Sequence, residues 1–77
     1  MTTAPRIDNL DLATSARRLA DDAPTGSLAH AAATSVAITC ATTRDVAEAR
    51  AALDGVTPAD VRQAALDIFR RLSAQAR

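Results

Sequence analysis

Seventy-seven residues make one small domain, and of its 37 apolar residues 20 are alanine and only 16 are Val, Ile, Leu, Met or Phe, so the core is small and a partner chain is a natural source of added stability. Nine arginines balance nine Asp and Glu, and a single phenylalanine stands without Trp or Tyr, which argues against a general affinity for nucleic acid, sugars or membrane surfaces. The lone cysteine, Cys40, has no internal disulfide partner; it reads as a small buried hydrophobe, and a reducing cytoplasm is the expected setting.

The polar opening Met1-Thr2-Thr3-Ala4-Pro5-Arg6 is followed by no apolar run, which does not fit a secretory signal. Residues 1–7 are expected to form a flexible segment and residues 8–77 a single helical domain. Every basic side chain is Arg and alanine is in excess, the signature of GC-rich coding in a bacterium or phage.

The first helix is expected over 8–22. Asp8 is placed to cap it, Ile7 and Leu12 to staple it, and Leu12, Ala16, Leu19 and Ala23 to form its inward stripe. Pro24-Thr25-Gly26 breaks the helix, since proline removes a donor and glycine frees the backbone. The second helix is expected over 26–42. Residues 23–43 carry no formal charge, yet their only large aliphatics are Leu28, Val36 and Ile38, so transfer energies oppose a membrane span. Leu28, Val36 and Cys40 fall on one side, and Ala29, Ala33, Ala37 and Ala41 form a smooth ridge along which another helix can approach closely. Ser35, Thr39 and Thr42 can return their hydroxyls to carbonyls one turn back. The expectation is a central helix covered by its neighbours or by a second subunit, with Ala29, Ala33, Val36, Ala37 and Ala41 as the candidate interface.

The third helix, expected over 43–54, turns Val46, Ala49 and Leu53 inward, and Gly55 is placed to stop it in the left-handed conformation. The fourth, over 57–76, opens with Thr57 as N-cap, Pro58 at the first helical position and Asp60 near the positive end. Val61, Ala65, Ile68 and Leu72 follow at spacings of three and four, widened by Leu66 and Phe69. No strand-length alternation bounded by turns occurs, so the fold class is all-α, a compact bundle of three to four short helices with dimerisation as one way to complete it.

Catalytic chemistry finds little footing. His30 and Cys40 stand about 15 Å apart along one helix, too far to share a metal ion or to act as base and nucleophile. Asp8-Asp11 and Asp21-Asp22 read as solvated helix termini, and Gly26 and Gly55 stand alone, outside any phosphate-cradling pattern. No enzymatic activity, cofactor or metal is expected.

Two resemblances bear on function. Gly26-Ser27-Leu28 before a helix resembles the serine motif on which carrier proteins bear phosphopantetheine. The likeness spans three residues; Thr25-Gly26 stand where carriers usually place Asp or Gly-Gly-His-like residues, so Ser27 reads as a helix-start residue. Residues 46–77 resemble a helix-turn-helix, with Ala51, Gly55, Val56, Val61 and Ala64 at matching positions and Arg50 and Asp54 where apolar residues are usual. That resemblance implies DNA contact through Arg62, Gln63, Arg70 and Arg71, with Arg77 beyond them; residues 57–77 carry four Arg and two Asp, a local charge of +2.

The reading is a non-enzymatic, cytoplasmic helical module acting by protein–protein contact, with a partner protein or a second copy on helix two, and no membrane. DNA regulation through residues 46–77 is the alternative.

Overall fold

The structure, a computed structural model that describes residues 9–75, contains four helices and no strand among those residues: α1 (Asn9–Asp22), α2 (Leu28–Thr42), α3 (Val46–Leu53) and α4 (Ala59–Gln75). The expected all-α bundle is therefore the fold. The expected flexible segment 1–7, the Asp8 cap with the Ile7 half of its staple, and Arg77 lie outside the described residues.

Local chemistry sets each boundary. The Ala23 N–H returns to the Leu19 carbonyl at 3.1 Å to finish α1, and the Ser27 N–H closes the next turn on the Pro24 carbonyl at 3.0 Å. Gly26 carries that turn at a φ of 87°, a region where a Cβ is costly. Ser27 is extended, and its Oγ accepts the His30 N–H at 3.1 Å; as the N-cap it sets the start of α2 at Leu28 instead of residue 26.

α3 is shorter than the expected 43–54. Thr43 and Asp45 are both extended. The Asp45 carboxylate accepts the Glu48 N–H at 2.8 Å, while Glu48 Oε1 accepts the Arg44 N–H at 2.8 Å. This reciprocal pair, close kin to a capping box, holds the first turn at Val46. At the other end Gly55 does not adopt the expected left-handed conformation, because of the two glycines only Gly26 has positive φ. Asp54 remains right-handed, and the Gly55 and Val56 N–H groups bond to the Ala52 and Leu53 carbonyls, each at 3.1 Å. Such three-residue bonds tighten a helix end without a left-handed residue. α4 opens at Ala59 rather than 57: the Pro58 carbonyl accepts the first helical bond, from the Arg62 N–H at 3.0 Å, at a position where proline's missing donor costs nothing.

α2 packs against all three other helices and supplies Ala32, Ala33, Val36, Ala37 and Cys40 to the core. Ala49 and Leu53 of α3 and Ala65, Ile68, Phe69 and Leu72 of α4 join them, as their spacing predicted. α1 differs from expectation. It buries Leu12, Ala16 and Ala20, and leaves Leu19 exposed. Beyond Leu12, Ala16 and Ala20 give a shallow ridge that fits the small residues of α2, and Leu19 stands to one side of it. Half of the fourteen buried core residues are alanine, so close helix approach replaces bulk in this core.

Cys40 is fully buried, and loss of hydration pushes its thiol up to about 11, the behaviour of a structural cysteine. His30 stands in the first turn of α2, and its Nδ1–H donates to the Ala20 carbonyl at 2.8 Å. That bond pins the end of α1 to the start of α2 and places the ring proton on Nδ1.

Candidate interaction surface

Each residue of a helix advances about 100° around the axis, so twelve of the fifteen residues of α2, all but Ala29, His30 and Thr39, fall into an inner and an outer half. The inner half holds Ala32, Ala33, Val36, Ala37 and Cys40, all buried. The outer half holds Leu28, Ala31, Thr34, Ser35, Ile38, Ala41 and Thr42. Leu28 is 46% exposed and Ile38 59%. No charged residue lies on this half, although it faces solvent. The outward side of a surface helix is ordinarily charged or polar.

The hydroxyls on this side turn inward on their own helix. Ser35 Oγ donates to the Ala31 carbonyl at 3.0 Å and Thr42 Oγ1 to the Ile38 carbonyl at 2.9 Å. Bonds of this kind let Ser and Thr lose contact with water without losing a partner. α1 extends the surface. Leu10, 64% exposed, lines a hollow with Ala13, Thr14, Ala37 and Ala41, and Arg17 and Asp21 border an adjoining hollow with His30, Thr34 and Ile38.

The sequence-predicted interface residues separate on this map. Ala33, Val36 and Ala37 are covered by this chain's own helices, Ala33 to 1% exposure, whereas Ala29 and Ala41 remain exposed. Ala29 lines a hollow with Leu19, Ile68 and Arg71 on the side facing α4, and Ala41 belongs to the Leu10 hollow. Leu28, Ala31, Ser35 and Ile38 were not singled out as an interface. Their spacing of three, four and three residues was a signal available in the sequence, but without charged neighbours on α2 nothing distinguished that side from the other.

The DNA-contact candidates do not share one edge. Arg62 is half-buried, and its Nη1 donates to the Val56 carbonyl at 3.4 Å. Gln63 is exposed. Arg70 borders a groove of about 400 Å³ between α3 and α4, with Arg50, Leu66 and Phe69, while Arg71 borders the hollow on the opposite side of α4. Ser73 lies in the α3–α4 groove with its Oγ shielded from solvent and without a hydrogen-bond partner.

Among the described residues no group of three His, Cys, Asp or Glu is arranged to hold a metal ion, and no helix is long and apolar enough to cross a membrane. The Ser27 hydroxyl is engaged as a helix cap. No protein-family model matches the sequence, and neither the curated proteins nor the solved structures yield a match.

Proposed function

We propose that this chain is a non-enzymatic protein-contact module whose docking surface is the outer half of α2 with the adjoining side of α1, and that the element docked there is another α-helix. One observation carries the reading: from Leu28 to Thr42 the outer half of α2 is uncharged and partly aliphatic although it faces solvent. Leaving such a surface uncovered forgoes the solvation that charged residues normally provide. Small side chains at Ala31, Ser35 and Ala41 allow a second helix to approach closely, and the self-bonded hydroxyls of Ser35 and Thr42 remove the usual cost of covering polar groups.

The test is a photo-crosslinking amino acid in place of Ile38, with the same group in place of the exposed Ala47 of α3 as control. A protein adduct formed at position 38 and absent at position 47 supports the surface. Equal capture at both positions, or none at either, contradicts it.

A further inference from the structure

Resting on that reading of the outer half of α2, we propose that its occupant is a second copy of this chain, laid antiparallel about a two-fold axis so that Leu28 meets the partner's Ile38 and Ala31 meets the partner's Ser35.

Spacing gives the contact its length. Leu28, Ala31, Ser35, Ile38 and Thr42 follow one another at intervals of three and four residues, the pattern by which two helices remain in register over several turns. Reversing one such stripe against another pairs a position of the first kind with one of the second. Positions 28 with 38 and 31 with 35 share one midpoint, at the level of Ala33. The large side chains then pair at both ends, and the small ones pair between them, where the backbones come closest. The contact is self-complementary, as a two-fold requires.

Charge selects the direction. α1 runs alongside α2 in the opposite sense, since His30 bonds to Ala20 while Leu10 and Ala41 line one hollow. Arg17 lines both the hollow with Ala41 and the one with His30 and Thr34, whereas Asp21 lines the latter. Asp21 lies about one turn further along the antiparallel α1, so it stands nearer the start of α2 than Arg17 does. A two-fold perpendicular to α2 at the Ala33 level exchanges those heights and keeps both copies of α1 on the same side. Asp21 is thereby brought to the height of the partner's Arg17, and symmetry makes the pairing twice. A parallel pair would carry the two α1 helices to opposite sides, remove both ion pairs and set the two α2 dipoles side by side in the same direction.

Sedimentation of the full chain from micromolar to millimolar concentration tests the pairing. The expected result is a reversible dimer that Ile38→Asp weakens at least about a hundredfold, because each copy would bury an unpaired charge. Asp21→Arg is expected to weaken it roughly tenfold, and adding Arg17→Asp to the same chain to restore it to within about threefold. Should Ile38→Asp lose helix, the exposed Asp21 and Arg17 exchange carries the test alone. Orientation is read by mixing a Leu28→Cys chain with an Ile38→Cys chain under mild oxidation; Cys40, being buried, stays out of the exchange. The mixed disulfide should dominate. Self-linking of Leu28→Cys at an equal rate would overturn the antiparallel arrangement, as would failure of the charge exchange to restore binding. A wild-type chain that stays monomeric throughout overturns the proposal. Capture of a different protein at position 38 would then leave the docking surface standing, and no capture would remove both.

Discussion

The two halves of α2 are built from nearly the same residues and meet opposite fates. The inner half is Ala32, Ala33, Val36, Ala37 and Cys40; the outer is Leu28, Ala31, Thr34, Ser35, Ile38, Ala41 and Thr42. The larger aliphatics, Leu28 and Ile38, are on the exposed side. Burial in this helix is thus decided by which neighbours can approach, since the alanines of α1 and α4 fit a surface of small residues. An exposed surface composed like a core is what points to a further helix outside the chain.

The comparison breaks most sharply with a charge. Val36→Asp places a carboxylate at a fully buried site with no partner, and a loss exceeding about 4 kcal/mol is expected, seen as an unfolded circular dichroism spectrum. Ile38→Asp, two residues on, should retain the helical spectrum and lose association only.

The pH dependence probes the inner half alone. The Cys40 thiol is raised by desolvation from 9.0 to about 11, so the folded state keeps the proton over a range in which the unfolded state releases it. Stability is unaffected below 9, falls as pH rises from 9.0 to about 11, and levels off above that, a loss of roughly 2–3 kcal/mol. The chain has no Lys or Tyr, so no other side chain titrates in that window. Chemical unfolding at a series of pH values should show the fall in wild type and its absence in Cys40→Ala; a pH-independent wild type would count against the buried thiol.

Volume sharpens the comparison further. Ala33→Leu overfills a site that is 1% exposed and should cost about 1–3 kcal/mol. Ala41→Leu, on the same sequence ridge but exposed, should change stability by no more than about 0.5 kcal/mol. Equal costs in thermal unfolding would contradict the placement of the ridge. The smallest contrast lies in the connections: Gly26→Ala, at a φ of 87°, should cost about 1 kcal/mol, while Gly55→Ala, whose added Cβ would meet only the Ala52 carbonyl at an ordinary 3.5 Å, should be near neutral.

What was legible in the sequence follows the same physics. α3 and α4 alternate apolar and charged residues, so their inward sides at Ala49, Leu53, Ala65, Ile68, Phe69 and Leu72 could be read from periodicity. α2 offers no charge from which to set a phase, and of the grouping of Leu28 with Val36 and Cys40 only the last two are buried, Leu28 remaining 46% exposed. In α1 the spacing of Leu12, Ala16, Leu19 and Ala23 suggested an inward Leu19, but the buried stripe runs through Leu12, Ala16 and Ala20 and leaves Leu19 exposed. Boundaries slipped where a side chain supplied a better cap than expected, as Asp45 does with Glu48. The uncharged character of α2 was legible, but of the five residues expected to form an interface, Ala33, Val36 and Ala37 are taken by the chain's own core and only Ala29 and Ala41 remain exposed.

Sedimentation equilibrium of wild type beside Ile38→Asp tests the central claim most directly. A concentration-dependent dimer in wild type, absent in an equally helical Ile38→Asp chain, is the predicted result; a monomer at every concentration, or a dimer indifferent to the substitution, would contradict it.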